Sequence, residues 1–275
     1  MTGPATDPTR GRDEVASATE ALVANWIVPE VIPQGICTAV VPGTECLDGA
    51  RLLARTLHTL VLRSRPRTLV LAASGPGQVA RIRAMGSLST TLGDVPIDER
   101  LAARIASFWP DEIDIIPDGE DEDSLPTLHR IGPLLAQVLV PGCRIVPLQI
   151  PAAPEQMFDP VLVGREMGKQ LKFEVGCCLI ASGTLFPRDT QEPNPASTPT
   201  TAQEVSEDAS ILKHLLEPEA DELAGRLSQT GLQNTSALLL ATAYAIECDR
   251  KRGHLLEHGV VETDGHHFGA AAVVL

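Results

Sequence analysis

The apolar positions of this chain fall into two patterns. Between Asp48 and Arg63, Leu52, Leu53, Leu57 and Leu60 recur at helical spacing, and Val15, Ala18, Leu22 and Val23 do the same between Asp13 and Trp26. The stretches 98–108, 126–140 and 159–173 carry weaker versions of that period, and a strong helix is predicted from Asn234 or Thr235 to Arg252, closed by Gly253. The second pattern is the short continuous apolar run: ICTAVVPG (36–43), TLVLAAS (68–74), RIVPLQIP (144–151), CCLIAS (177–182) and the final AAAVVL. Such runs, closed by Pro or Gly, predict strands buried on both faces, as in a parallel sheet. Strands alternating with helices predict an α/β fold, a three-layer α/β/α sandwich around a mostly parallel sheet. We expect one domain over residues 1–275, with a polar lead at 1–11 and a flexible loop at 189–210, where Pro, Ser, Thr and acids dominate.

Charge and composition narrow the function classes. The 275 residues include 22 Lys plus Arg against 36 Asp plus Glu, a formal charge of −14, with 3% aromatic residues. A chain so acidic and so poor in stacking side chains is not built to bind nucleic acid or an anionic membrane surface. Residues 111–123 alone hold eight acids and no base, and read as a solvated, self-repelling loop. They lack the residue order of a calcium loop. No apolar run approaches the roughly 18 residues of a membrane span, and the first residues carry no apolar signal stretch. The six cysteines include no C-x-x-C pair. The expectation is a cytoplasmic protein whose thiols are reduced and packed as small hydrophobes.

In open α/β sheets, ligands gather at the carboxyl ends of the strands. Here those ends are PGTEC, SGPGQ and SGTLFPRD. SGPGQ lacks both G-x-G-x-x-G and the phosphate-binding Lys, and Pro76 removes a donor, so a tight turn is expected rather than a phosphate cradle. His254-Leu-Leu-Glu257-His258 matches H-x-x-E-H, which on a helix would place two zinc ligands beside a general base. Gly253 and Gly259 bracket it, and a turn followed by a strand is the expected structure. On the helix from Asp48, His58 lies with Arg51 and Arg55 opposite the leucines and reads as a solvated histidine rather than a ligand.

The segment TTLGDVPIDERLAARI (90–105) resembles the T-P-L-G-x-V-x-V-D stretch of Memo-like proteins, relatives of the class III extradiol ring-cleavage dioxygenases. The resemblance continues in order along the chain. ATDPTRGRDEVASATEAL is similar to the Y-P-x-D-P helix, CTAVVPGTEC to the strand before P-H-A-G-Y, and LVLAASGPGQ to the strand ending G-P-x-H. PGCRIVPLQI is similar to P-x-x-x-I-V-P-I, CLIASGTLFPRD to the strand ending S-S-D-F-S-H-Y, and the last segment to the family's closing strand pair. This resemblance implies the same three-layer fold. It also implies, for the dioxygenase relatives, iron(II) held by histidines and a carboxylate with open positions for substrate and oxygen. Here Gly43 and Gln78 stand at the two motif histidines, and Thr184 and Pro187 at the acid and histidine of S-S-D-F-S-H. The E-H-S segment aligns with Glu122-Asp123-Ser124, or, in a register anchored on Pro133, near His129. Glycine and proline side chains ligate nothing and glutamine is a poor iron ligand, so no metal residue and no cofactor carries over.

Two function classes follow. The first is a metal-free pseudoenzyme binding a small molecule or a protein partner in the remnant cleft, with Glu45, Gln78, Asp123, His129 and Thr184 as candidate cleft residues. The second is an enzyme with repurposed chemistry. In it Glu45, Asp123 or His129 acts as acid or base, or iron or another divalent metal sits in a rebuilt, oxygenase-like site. A zinc hydrolase using His254, Glu257 and His258 is the minor alternative.

Overall fold

The computed structural model describes residues 8–43, 47–109, 113–116, 125–152, 158–183, 202–230, 235–263 and 266–275. The apolar runs form the expected strands: β1 (Thr38–Val41), β2 (Thr68–Gly75), β7 (Arg144–Pro151) and β8 (Cys177–Ser182). Shorter strands β3 (Ala80–Arg83), β4 (Ser87–Thr90), β5 (Gly93–Pro96) and β6 (Ile113–Ile116) lie between β2 and β7 in the chain, and β9 (His254–Thr263) and β10 (His266–Val274) close it. One eight-stranded sheet has the order β6-β3-β7-β2-β8-β1-β10-β9, while β4 and β5 form a separate hairpin. The four central strands run parallel, and β3 and β10 flank them antiparallel.

Crossover handedness explains the layers. The helices are α1 (Pro8–Ala21), α2 (Leu47–Arg63), α3 (Glu99–Phe108), α4 (Thr127–Leu139), α5 (Pro160–Leu171), α6 (Ala202–Leu216), α7 (Ala220–Thr230) and α8 (Ser236–Glu247). From β1 to β2 and from β2 to β7 the chain steps one way across the sheet; from β7 to β8 it steps back. Right-handed crossovers therefore put α2 and α4 on one face and α5 on the other. The packing agrees: α2 touches α4, and α5 touches α8. Helix α8, SALLLATAYAIE, is apolar on every side and buried from Ser236 to Ala245, as a helix sandwiched between sheet and neighbouring helices must be. Gly164 and Gly168 let α5 approach it closely, since a Cβ on Gly164 would lie 2.4 Å from the Leu240 carbonyl oxygen and one on Gly168 would lie 2.5 Å from Glu247 Cβ. The result is the α/β sandwich that the strand–helix alternation implies.

Two local expectations are corrected. The segment 189–210 is not loop throughout, because α6 starts at Ala202 and its later turns bury Ile211, Leu212 and Leu215. The run 111–123 is not simply a solvated loop, because Ile113 and Ile116 are buried in edge strand β6 while Asp114 faces solvent. On α2, His58 is half-buried, and the arginines beside it reach across to β9. Glu257 of β9 accepts from Arg51 Nη1 at 2.7 Å and from Arg55, whose guanidinium also lies 4.8 Å from the Trp26 ring centroid.

Candidate functional site

The exits of β1 and β8 leave toward opposite faces of the sheet, β1 into α2 and β8 toward α6 and α7, which join α8 on the other side. This is a topological switch point, the place where open α/β sheets in general have their ligand crevice. Val41 and Ser182 are partners in register there, and the Gly183 N–H donates to the Val41 carbonyl at 3.0 Å. A Cβ on Gly43 would lie 3.6 Å from Ser182 Cβ, in ordinary contact, so the crevice at this point is lined by a bare backbone and a hydroxyl-bearing side chain. One strand over, the buried Gln149 folds across the end of β2. Its Nε2 donates to the Pro76 carbonyl at 3.3 Å and lies 2.1 Å from where a Gly75 Cβ would stand. Gly75 is therefore required by close packing. Beside it, the Ser74 hydroxyl is buried without a hydrogen-bond partner. The first turn of α8 seals the far side, where the Thr235 N–H donates to Ala152 O at 3.0 Å, Leu238 packs on Gly183, and the Ser236 hydroxyl is also buried unpartnered.

Of the five candidate cleft residues, Glu45, Asp123 and Thr184 lie outside the described residues. The other two are not brought together. Gln78 is exposed in the turn after β2, beyond Gly77 with φ of +112°. His129 is 2% exposed, on the sheet-facing side of α4, with Nε2 2.7 Å from the Leu71 carbonyl oxygen in the middle of β2. That bond makes Nε2 the protonated nitrogen and leaves Nδ1 buried without a partner. The imidazole adds a side-chain donor to a carbonyl in the middle of the central strand β2, tying α4 to the sheet. Burial pushes the His129 pKa down to about 4, the bond to the Leu71 carbonyl and the nearby Leu148 carbonyl oppose this, and the Arg83 charge adds to it. His129 is thus a neutral core group. Gln149 and Ser182 are the polar side chains at the strand ends that pattern reading passed over. The available signal was a lone glutamine in the otherwise apolar RIVPLQIP.

The metal-ligating side chains are elsewhere. Among the described residues, His214, Glu219 and Glu222 bring three ligand atoms within 4.8 Å of one another at the α6–α7 corner. His214 Nδ1 lies 3.4 Å from Glu219 Oε2 and 4.0 Å from Glu222 Oε2. The H-x-x-E-H string forms the start of β9, a strand as expected, and Glu257 is held by Arg51 and Arg55. The zinc-hydrolase alternative therefore lacks the helix that its geometry requires. Asp98, the closing acid of the stretch that begins the family resemblance, caps α3 through Leu101 N at 3.1 Å and accepts the Thr68 hydroxyl at 2.6 Å. The cysteines Cys37, Cys143, Cys177, Cys178 and Cys248 are free. Burial pushes Cys143 and Cys177 up to about 11 and about 12, so both are neutral thiols.

No protein-family model matches this chain, and no curated protein matches it significantly. Its structure is similar to the crystal structure of the uncharacterized protein JW3007 from Escherichia coli K12. The TM-score is 0.56 at 17% sequence identity, covering 86% of this chain and 99% of that one. This shows the fold. At that identity it says nothing of chemistry.

Proposed function

We propose that this chain is a divergent member of the Memo-like group, on the scaffold of the class III extradiol dioxygenases. In this reading it has lost the metal site and binds a small molecule or a segment of a protein partner at the carboxyl ends of β1, β2 and β8. One observation carries the reading. Where the resemblance puts ligating histidines, this chain has Gly43 beside Ser182 and, after the Gln149-covered end of β2, an exposed Gln78. Those groups hydrogen-bond; they do not hold iron. Ser74 and Ser236, buried with unused hydroxyls beside the same strand ends, are further polar groups that a ligand or an ordered water would satisfy.

The runner-up is an enzyme with a rebuilt metal site, and the observation favouring it is the His214–Glu219–Glu222 group. Elemental analysis of the full chain, purified without chelator, separates the two when run beside His214→Ala. We expect no stoichiometric iron, copper or zinc at the strand ends. Metal that disappears in H214A maps to the α6–α7 corner and leaves the strand-end reading standing, whereas metal retained by H214A overturns it. The binding arm is a thermal-shift screen with catechols, nucleotides and amino-acid derivatives, since a ligand at a hundredfold over its Kd stabilises by about 2.7 kcal/mol. Gly43→Phe has room for its Cβ and should plug the crevice. It should abolish the ligand-induced shift while leaving the free protein's melting temperature in place; a shift that survives G43F places the ligand elsewhere.

A further inference from the structure

The opposite, amino-terminal edge of the sheet contains a second concavity with different chemistry. Strands β2, β7 and β8 begin side by side there, Thr68 being in register with Arg144 on one flank and Cys177 on the other. With the start of α3 and the turn before β8, they enclose about 410 Å³. Small-molecule sites run from roughly 300 to 1,000 Å³.

The charges around this space do not cancel. Asp98 is engaged on both oxygens, by Leu101 N and the Thr68 hydroxyl, and Glu174 accepts from Arg100 and from Arg104 at 2.9 Å. Glu174 is therefore charge-compensated, while Asp98 is held by neutral donors and keeps its negative charge. The remaining cations lining the space are Arg67 and Arg144, and neither guanidinium has a carboxylate partner among the described residues. Both backbones are fixed, and so is the start of the Arg67 side chain. Arg144 N donates to Arg67 O at 2.8 Å, Arg67 N donates to Gly176 O at 2.7 Å, and the Arg67 chain lies over Gly176, 3.1 Å from where a Cβ would be. The lining carries three arginines, Arg67, Arg100 and Arg144, against the two carboxylates Asp98 and Glu174, and in a chain of net charge −14 such a local cationic excess is not a by-product of general basicity. Guanidinium forks match oxyanions in shape and charge.

We propose that this amino-edge cavity is a binding site for a small doubly charged oxyanion, a phosphate monoester or a dicarboxylate, clasped between Arg67 and Arg144. The site is independent of the crevice at the carboxyl ends, and either can fail without the other. The test is isothermal titration calorimetry on the full chain at low ionic strength in a non-phosphate buffer, with inorganic phosphate and succinate as separate probes. Saturable one-to-one binding of at least one probe is expected, and which one binds assigns the class. Arg67→Gln and Arg144→Gln should each weaken it about tenfold or more, because each removes a charge-assisted contact. Arg12→Gln, remote on α1, should bind as the parent does. Both cavity arginines are exposed, so the variants should fold, which far-UV circular dichroism checks. Failure of both probes to bind saturably, or undiminished binding in the double variant R67Q/R144Q, overturns the proposal.

Discussion

His129 and Gln149 carry the same lesson from opposite directions. Each is a polar side chain sent into an apolar setting, and each is kept there by one backbone carbonyl: Leu71 O for the imidazole, Pro76 O for the amide. For His129 this has a thermodynamic consequence. Its folded pKa of about 4 lies below the ordinary value of 6.5, so the unfolded chain binds the proton more tightly. The stabilisation is complete above pH 6.5 and is lost as pH falls through about 4, by about 3 kcal/mol in all from a shift of this size. Urea unfolding at pH 7.5, 5.5 and 4.5 should show that decline. His129→Gln, which keeps a donor for Leu71 but does not titrate, should flatten the decline over the same range; an unchanged slope would place the acid sensitivity in other groups. From the sequence, His129 is one histidine among seven, and nothing in its spacing tells a ligand from a core group. Only the packing of α4 on β2, which brings the imidazole to the Leu71 carbonyl 58 residues away in the chain, gives it its role.

At the level of elements, legibility followed length and purity of pattern. TLVLAAS, RIVPLQIP and CCLIAS are apolar but for their ends and Gln149 and became β2, β7 and β8, while the leucine stripe from Leu52 to Leu60 became the buried face of α2. The short strands β3, β4 and β5 were illegible because tertiary pairing, not propensity, makes them. ARIR forms β3 with Arg83 buried, and SLST and GDVP form a hairpin around Gly93, whose φ of +121° suits glycine alone. Helix α6 was hidden because its first half, AQEVSEDA, is polar and its apolar anchors come later. The α5–α8 contact was hidden too, since two glycines in VLVGREMGKQL read as weak helix formers rather than as the crossing point. That contact is directly testable. Gly164→Ala would put a methyl carbon against the Leu240 carbonyl and should destabilise by about 1–3 kcal/mol, as overpacking does, despite alanine's better helix propensity. Gly225→Ala in α7, where nothing lies within 4 Å, is the control and should be neutral or slightly stabilising. If G164A matched G225A, the two helices would not be in the close contact described.

For the whole molecule, the balance to be struck is between a net charge of −14 and the ion pairs that tie elements together. Glu257 joins β9 to α2 through Arg51 and Arg55, and Glu174 joins the turn before β8 to α3 through Arg100 and Arg104. Salt acts on the two with opposite signs. Exposed pairs are worth about 0.2–1 kcal/mol and weaken as salt rises, but those around Glu257 and Glu174 are partly buried and are screened less. Long-range repulsion among the excess carboxylates acts through solvent and is screened most, over a distance that shrinks to about 10 Å at 0.1 M. Repulsion should therefore be the larger loss. Raising sodium chloride from 10 to 200 mM should lift the melting temperature by a few degrees, about what 1 kcal/mol gives a chain of this size. The same salt should weaken phosphate or succinate at Arg67 and Arg144, since that attraction is between exposed charges. A melting temperature that falls with salt would mean that the local pairs, and not the surplus of acids, govern how this fold responds to its own charge.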